Sequence, residues 1–217
     1  MAEALRASSA RAQKARAFWL KHLHQWHWMS AAMCLVAMLL FSVTGFTLNH
    51  ASWIGAKPKV TTQTAALPAP LREQLKKTRE SSGDDKAALP TEVADWLDQT
   101  LTVRVEDRET EWSDDEIYVS LPRPGGDAWL TVNLEDGEVT HELTDRGWLS
   151  YFNDLHKGRN AGAAWSLFID VFAFAVLVFA ITGLLLLKMH AGNRPGTWPM
   201  VALGLVLPLL LAILFIH

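Results

Sequence analysis

The sequence predicts a membrane protein of three transmembrane α-helices with a small α+β insert, an antiparallel sheet plus a helix, between helices 1 and 2. Three observations predict it. Of the 217 residues, Trp28 to Leu48 and Trp198 to Ile216 contain no charged side chain, and Ala161 to Leu187 contains only Asp170. Each run is about 20 residues or longer, enough at ~1.5 Å per residue to cross ~30 Å of hydrocarbon. Lys and Arg cluster ahead of the first run and around the gap between the second and third. Finally, the long segment between the first two runs ends in short stretches whose apolar residues recur every second position.

Residues 1–27 form the N-terminal segment, with Arg6, Arg11, Lys14, Arg16 and Lys21 against one acid, Glu3. The loop after the second helix carries Lys188 and Arg194 with no acid. Both should face the cytoplasm, because Lys and Arg are retained on that side. Residues 28–50 are helix 1. A cleaved signal peptide, with small residues at Ala51 and Ala56 as its processing site, is disfavoured because its apolar region would be only ~7–15 residues long. The segment from Ala51 to Gly147 holds 11 Lys/Arg and 20 Asp/Glu. It belongs on the opposite side, the periplasm of a bacterium, together with the C-terminus. The single cysteine, Cys34, lies inside helix 1, so neither an intrachain disulfide nor a thiolate cluster is expected.

Residues 51–90 read as a periplasmic linker rich in Pro, Ala, Thr and charge, with a short surface helix around Leu71 to Arg79. Residues 91–147 read as the folded domain. Val93, Trp96, Leu97 and Leu101 fall near helical spacing, with Thr91 as N-cap. The period then becomes two at Ile117, Val119, Leu121, again at Leu130, Val132, Leu134, and again at Val139 with Leu143. PRPGGD and EDGE separate these runs as turns, and Asp136-Gly137 suits a tight hairpin. The domain shows no nucleophile beside a base, no phosphate loop and no metal-ligand cluster; acids such as Asp114, Asp115 and Glu116 read as a solvated face. Residues 148–160 form an outer interfacial segment, 161–189 helix 2, 190–197 a cytoplasmic loop and 198–217 helix 3. Trp26, Trp28, Trp53, Trp148, Trp165 and Trp198 read as interfacial anchors.

The chemistry lies in the histidines. His24 and His27 precede the core of helix 1 and His50 follows it; His156 precedes helix 2 and His190 follows it. Since the two helices run in opposite directions, His50 and His156 fall on the outer side while His190 joins His24 and His27 on the inner side. Two histidine groups on two antiparallel helices suit two stacked haems, since a low-spin haem takes one imidazole on each face of its iron and needs an apolar slot. Zinc would ask for four protein ligands, and neither end offers them. No C-x-x-C-H attachment motif is present, so the cofactor would be haem b, two per chain, with no other metal. His24 and His27 stand ~60° apart on a helix, and His22 points ~160° away from His24.

Thr44-Gly45 and Thr182-Gly183 place the same pair near opposite ends of the two helices. Gly45 and Gly183 would let a porphyrin approach the backbone, or serve close helix packing. Gly183 and His190 lie within ~20° of one face, whereas Gly45 and His50 are ~140° apart. Asp170, costly inside a membrane without a partner, is expected to face helix 1 and orient a histidine or polar group of the outer site. One geometric difficulty stands: His27 to His50 spans ~35 Å of helix and His156 to His190 ~51 Å. His156 is therefore expected in a bend before helix 2, near Gly158 and Gly162, or on an outer extension.

LHQWHW before helix 1, TGFTLNH at its end, the acidic insert and DLHKGRNAG ahead of a TG-containing helix resemble the PepSY-associated transmembrane proteins, in their short three-helix type. The resemblance covers nearly all the chain beyond the first 17 residues and is weak within the insert. It implies a PepSY-like periplasmic domain and an inner-membrane haem protein that reduces ferric siderophores or passes electrons to periplasmic acceptors. It also implies haem ligation by His24 and His156; His27, His50 and His190 come from their positions in this chain. The expected function is thus a b-type cytochrome subunit, a ferric or flavin reductase component if an enzyme at all. Its expected partners are membrane lipid, a periplasmic acceptor, and a quinol or a membrane subunit as donor, with no nucleic acid. Two rivals are a non-enzymatic PepSY-type regulator and a metal-uptake accessory binding iron or copper at His50 and His156.

Overall fold

The computed structural model describes residues 2–54, 57–82, 85–106 and 108–216, which leaves the Ala56 half of the signal-peptide question outside the described residues. The chain divides into two compact units, Met1–Leu40 with Leu167–His217, and Phe41–Ser166.

The first unit is helical. It holds most of α1 (Ala2–Asn49), most of α5 (Gly162–His190) and α6 (Thr197–Phe215). All three helices are long and apolar enough to cross a membrane, and few of their side chains are buried by protein. Large apolar residues such as Leu39, Phe174, Leu205 and Phe215 are exposed, the signature of surfaces whose solvent is lipid. The chain is a multi-pass membrane protein. α1 begins far ahead of the apolar run because its first half is rich in the strong helix formers Ala, Arg, Lys, Leu and Gln. From that half, the Arg16 guanidinium donates to the carbonyl of Met189 at 3.1 Å, satisfying one of the orphan carbonyls at the end of α5. Cys34 is free and buried, as a small packing residue would be.

The second unit is built on a five-stranded antiparallel sheet in the order β1-β5-β4-β3-β2. The strands are β1 (Lys59–Ala66), β2 (Thr110–Trp112), β3 (Glu116–Ser120), β4 (Gly126–Asn133) and β5 (Glu138–Asp145). Helices α2 (Ala69–Ser82) and α3 (Thr91–Leu101) cover one face of it. The period-two residues are the core: Ile117, Val119, Leu130, Val132 and Val139 are fully buried against Leu75, Val93 and Leu97. α3 occupies the expected span, but its N-cap is Pro90 with no side-chain hydrogen bond, not Thr91. The β4–β5 turn forms where expected, with Gly137 at φ 81 and the Asn133 carboxamide oxygen accepting from the backbone N–H of Glu135 and Asp136.

The segment expected as a linker is more ordered than its composition suggests. Lys59–Ala66 pairs with β5 over eight residues, from Lys59 opposite Asp145 to Ala66 opposite Glu138. The strand is exposed almost throughout, so its stability comes from backbone pairing and β-branched residues, not from an apolar face. β2 is also new: Thr110 Oγ1 and Trp112 Nε1 both donate to the Ala87 carbonyl at 2.6 Å, fastening the approach to α3.

Candidate cofactor sites

Within the helical unit, the N-terminal half of α1 meets the C-terminal end of α5. His27 is half-buried there. Its Nδ1 lies 3.1 Å from the Phe179 carbonyl and 3.0 Å from Thr182 Oγ1, and its ring stacks on Phe179 with centroids 4.4 Å apart. A carbonyl can only accept, so Nδ1 carries the proton. His24 and His190 are both exposed and meet edge-on, centroids 5.9 Å apart and planes at 88°. Beside them runs an open groove of about 640 Å³ lined by His27, Phe179, Ala180, Gly183, Leu184, Leu186, Leu187 and His190. Its walls are apolar except for the two imidazoles. His22 keeps to its own helix, on the Phe18 carbonyl and ring.

In the second unit, His156 is not on α5. It occupies the last turn of a separate helix, α4 (Gly147–Lys157), which ends at Gly158 with φ 67. Asn160 follows at φ 56 before α5 starts. The bend expected before helix 2 is this break, so His156 and His190 do not lie on one straight helix. His156 Nδ1 lies 2.6 Å from Thr44 Oγ1, and its ring packs on Phe41 at 4.8 Å. His50 instead turns to the Phe46 carbonyl and packs between Phe46 and Trp53.

α4 is fixed from two sides. Thr47 Oγ1 donates to the buried Asn153 carboxamide oxygen at 2.7 Å, and the buried Asp154 carboxylate accepts from the Gly125 backbone N–H at 2.9 Å. Gly125 has φ 73, and a Cβ there would meet the Tyr151 backbone at 2.7 Å, so the turn before β4 must be glycine to lie on α4. Trp165 Nε1 donates to the Leu155 carbonyl at 2.8 Å, so this tryptophan is a brace as well as an aromatic at the membrane edge.

Both glycines lie against a histidine ring. A Cβ on Gly183 would lie 3.2 Å from His27 Cε1, and one on Gly45 would lie 3.6 Å from His156 Cε1. Gly183 makes room for an imidazole, while at Gly45 a Cβ would sit in ordinary contact with one. Asp170 is exposed on α5, with no hydrogen bond among the described residues. Sequence reasoning missed Thr44, Thr182, Phe41 and Phe179 as partners of the histidines. The available signal was the repetition of FSVTG at 41–45 and FAITG at 179–183.

Across the site histidines, Nδ1 is committed: His24 to the Leu20 carbonyl, His50 to Phe46, His190 to Leu186, His27 and His156 as above. Nε2 has no hydrogen-bond partner among the described residues, the arrangement that a metal-binding imidazole adopts. Among those residues no group of three or more His, Cys, Asp or Glu side chains could hold a bare metal ion. The inner groove pairs two imidazoles, of His27 and His190, with apolar walls, a donor set that the two faces of a haem iron could take.

Three membrane helices with an antiparallel-sheet insert between the first two and histidines at the helix ends define a membrane protein of the PepSY-associated class. A family model described as PepSY_TM-like matches residues 18–217, and the chain belongs to that family. No curated protein and no solved structure matches it.

Proposed function

We propose that the chain is a b-type haem protein of the bacterial inner membrane that carries electrons across the bilayer to a periplasmic acceptor, a ferric chelate or a flavin-carrying protein. The observation that carries this reading is the inner groove, an apolar slot with imidazoles at His27 and His190. His190 supplies one inner ligand and α1 the other; His50 and His156 serve the outer site. When bound, haem supplies a one-electron couple that needs no substrate at the iron. The protein's own residues fix the ring nitrogens, through the Nδ1 contacts, and line the slot with apolar side chains.

A quinol or a membrane subunit is the fitting donor, because the inner groove is apolar and lies on helices long and apolar enough to cross a membrane. The Lys/Arg bias supports a cytoplasmic N-terminus and a periplasmic insert. A reporter fused after Pro90 should be active in the periplasm and one fused near Asn193 in the cytoplasm; the reverse pattern would remove the electron route. The deciding experiment is a dithionite-reduced minus oxidised spectrum of the purified chain, expected to show b-type α-bands. A chain purified from haem-replete cells without such bands would leave the PepSY-type regulator as the better reading.

A further inference from the structure

FSVTG at 41–45 and FAITG at 179–183 share the pattern F-x-x-T-G, and each copy receives one histidine. In both, the threonine hydroxyl back-bonds the carbonyl of the phenylalanine three residues earlier, Thr44 to Phe41 at 3.2 Å and Thr182 to Phe179 at 3.0 Å. In both, the same hydroxyl faces an imidazole Nδ1, of His156 at 2.6 Å and of His27 at 3.0 Å. In both, the phenylalanine ring packs on that imidazole and the glycine lies beside its Cε1, a Cβ there falling 3.6 Å from His156 and 3.2 Å from His27. Four matching contacts at each of two places, on helices running in opposite directions, describe one device used twice.

We infer that F-x-x-T-G is a histidine seat, that Thr44 and Thr182 are positioning residues for His156 and His27, and that these two seated histidines are the equivalent iron ligands of the two sites. The inference rests on the haem reading above and deepens it by choosing His27 over His24 on α1. The hydroxyl proton goes to a carbonyl of the threonine's own helix, for Thr182 that of Val178 at 2.7 Å or of Phe179, so the oxygen lone pair accepts from Nδ1–H. That holds the proton on Nδ1, fixes the ring plane and leaves Nε2 as the nitrogen open to iron. His24 has no such seat: its Nδ1 bonds its own helix at Leu20, its ring is exposed, and it does not line the groove. Its 5.9 Å approach to His190 makes it a neighbour that modulates that ligand.

The test uses the full chain, expressed with haem supplied, with Thr182→Val, Thr182→Ser, Thr44→Val, Thr44→Ser, His24→Ala and His27→Ala. Loss of an outer partner of a metal-bound histidine typically weakens metal affinity roughly 10–100-fold. Thr182→Val should therefore weaken haem retention at one site by that order and shift its midpoint potential, and Thr44→Val should do so at the other. Serine, which keeps the hydroxyl, should restore both. His27→Ala should lose one haem while His24→Ala keeps it. Loss in His24→Ala with retention in His27→Ala would overturn the ligand assignment, and unchanged haem retention and potentials in both valine variants would overturn the seats. Absence of haem from the unmodified chain would overturn the haem reading and the ligand assignment with it. The seats are then judged on ¹⁵N-labelled imidazole signals of the haem-free chain. Thr44→Val should move only the His156 signal and Thr182→Val only that of His27; unmoved signals would overturn them.

Discussion

The two histidine seats use the same five-residue pattern but are closed by different kinds of structure. At the inner seat both partners are long membrane helices, α1 and α5, and the surroundings are apolar. At the outer seat the histidine rides on α4, an 11-residue helix held to the β3–β4 turn by Asp154 and to α1 by Asn153. The inner seat needs only helix packing in lipid. At the outer seat the hydrogen bond from the Gly125 N–H to Asp154 ties α4 to the turn before β4, so a change in the sheet has a covalent and hydrogen-bonded path to His156.

The largest effect should come from removing a ligand. His190→Ala should lose the inner haem and leave the outer, and His156→Ala should do the opposite, each halving the haem-to-protein ratio, because an axial imidazole is a direct bond to iron. Distinct residual spectra and potentials in the two variants would confirm two separate sites. Identical residual spectra would mean that one haem is shared and the two ends are not independent.

A smaller and one-sided effect should follow from uncoupling α4. Asp154→Ala leaves the Gly125 N–H without its acceptor, at a cost of about 1–3 kcal/mol. Gly125→Ala places a methyl group against the Tyr151 backbone at a positive φ, a double penalty of similar size. Both should lower the thermal midpoint of the insert and broaden or weaken the outer haem signal while leaving the inner signal as it was. Equal disturbance of both haems would show that the two ends are not separable in the way their construction suggests.

How much of this was legible in the sequence differs between the regions for the same physical reason. Apolar runs and period-two alternation announce elements that bury one face, so the three helices and strands β3, β4 and β5 could be read directly. β1 could not, because KVTTQTAA buries almost nothing and is held by main-chain pairing, which has no side-chain pattern. β2 escaped because three residues cannot display a period. At the candidate sites the histidines were visible as costly polar groups at membrane ends. Their partners were not, since a threonine inside a membrane helix is common and only its repetition after a phenylalanine marks it. The glycines were noticed, but a glycine says that something comes close without saying what. At both positions described, the group that comes close is an imidazole.

The smallest expected effect concerns the sheet alone. His141 on β5 sits opposite Leu130 of β4 and Gln63 of β1, with Nδ1 3.4 Å from the Gln63 carboxamide oxygen, and partial burial holds its pKa below the ordinary histidine value. The folded chain therefore binds this proton less readily than the unfolded chain. Its contribution is fully present above the unfolded value of ~6.5 and is lost progressively as pH falls through that value towards the folded one. Glu92, held below the ordinary carboxylate value by its hydrogen bonds, chiefly to its own backbone and then to Gln74, acts in the same direction at lower pH, through the region of its unfolded value of 4.5. Thermal midpoints of the insert measured from pH 7.5 to pH 5.5 should decline slightly in the unaltered protein, and the decline should flatten in His141→Gln, which cannot take up the proton. If the outer haem signal declines in parallel with the sheet while the inner one holds, the dependence of the outer seat on the sheet is seen without any change to the seat itself. If the outer signal holds while the sheet weakens, α4 keeps His156 in place without the sheet's help, and the two ends of the molecule are more alike than their construction implies.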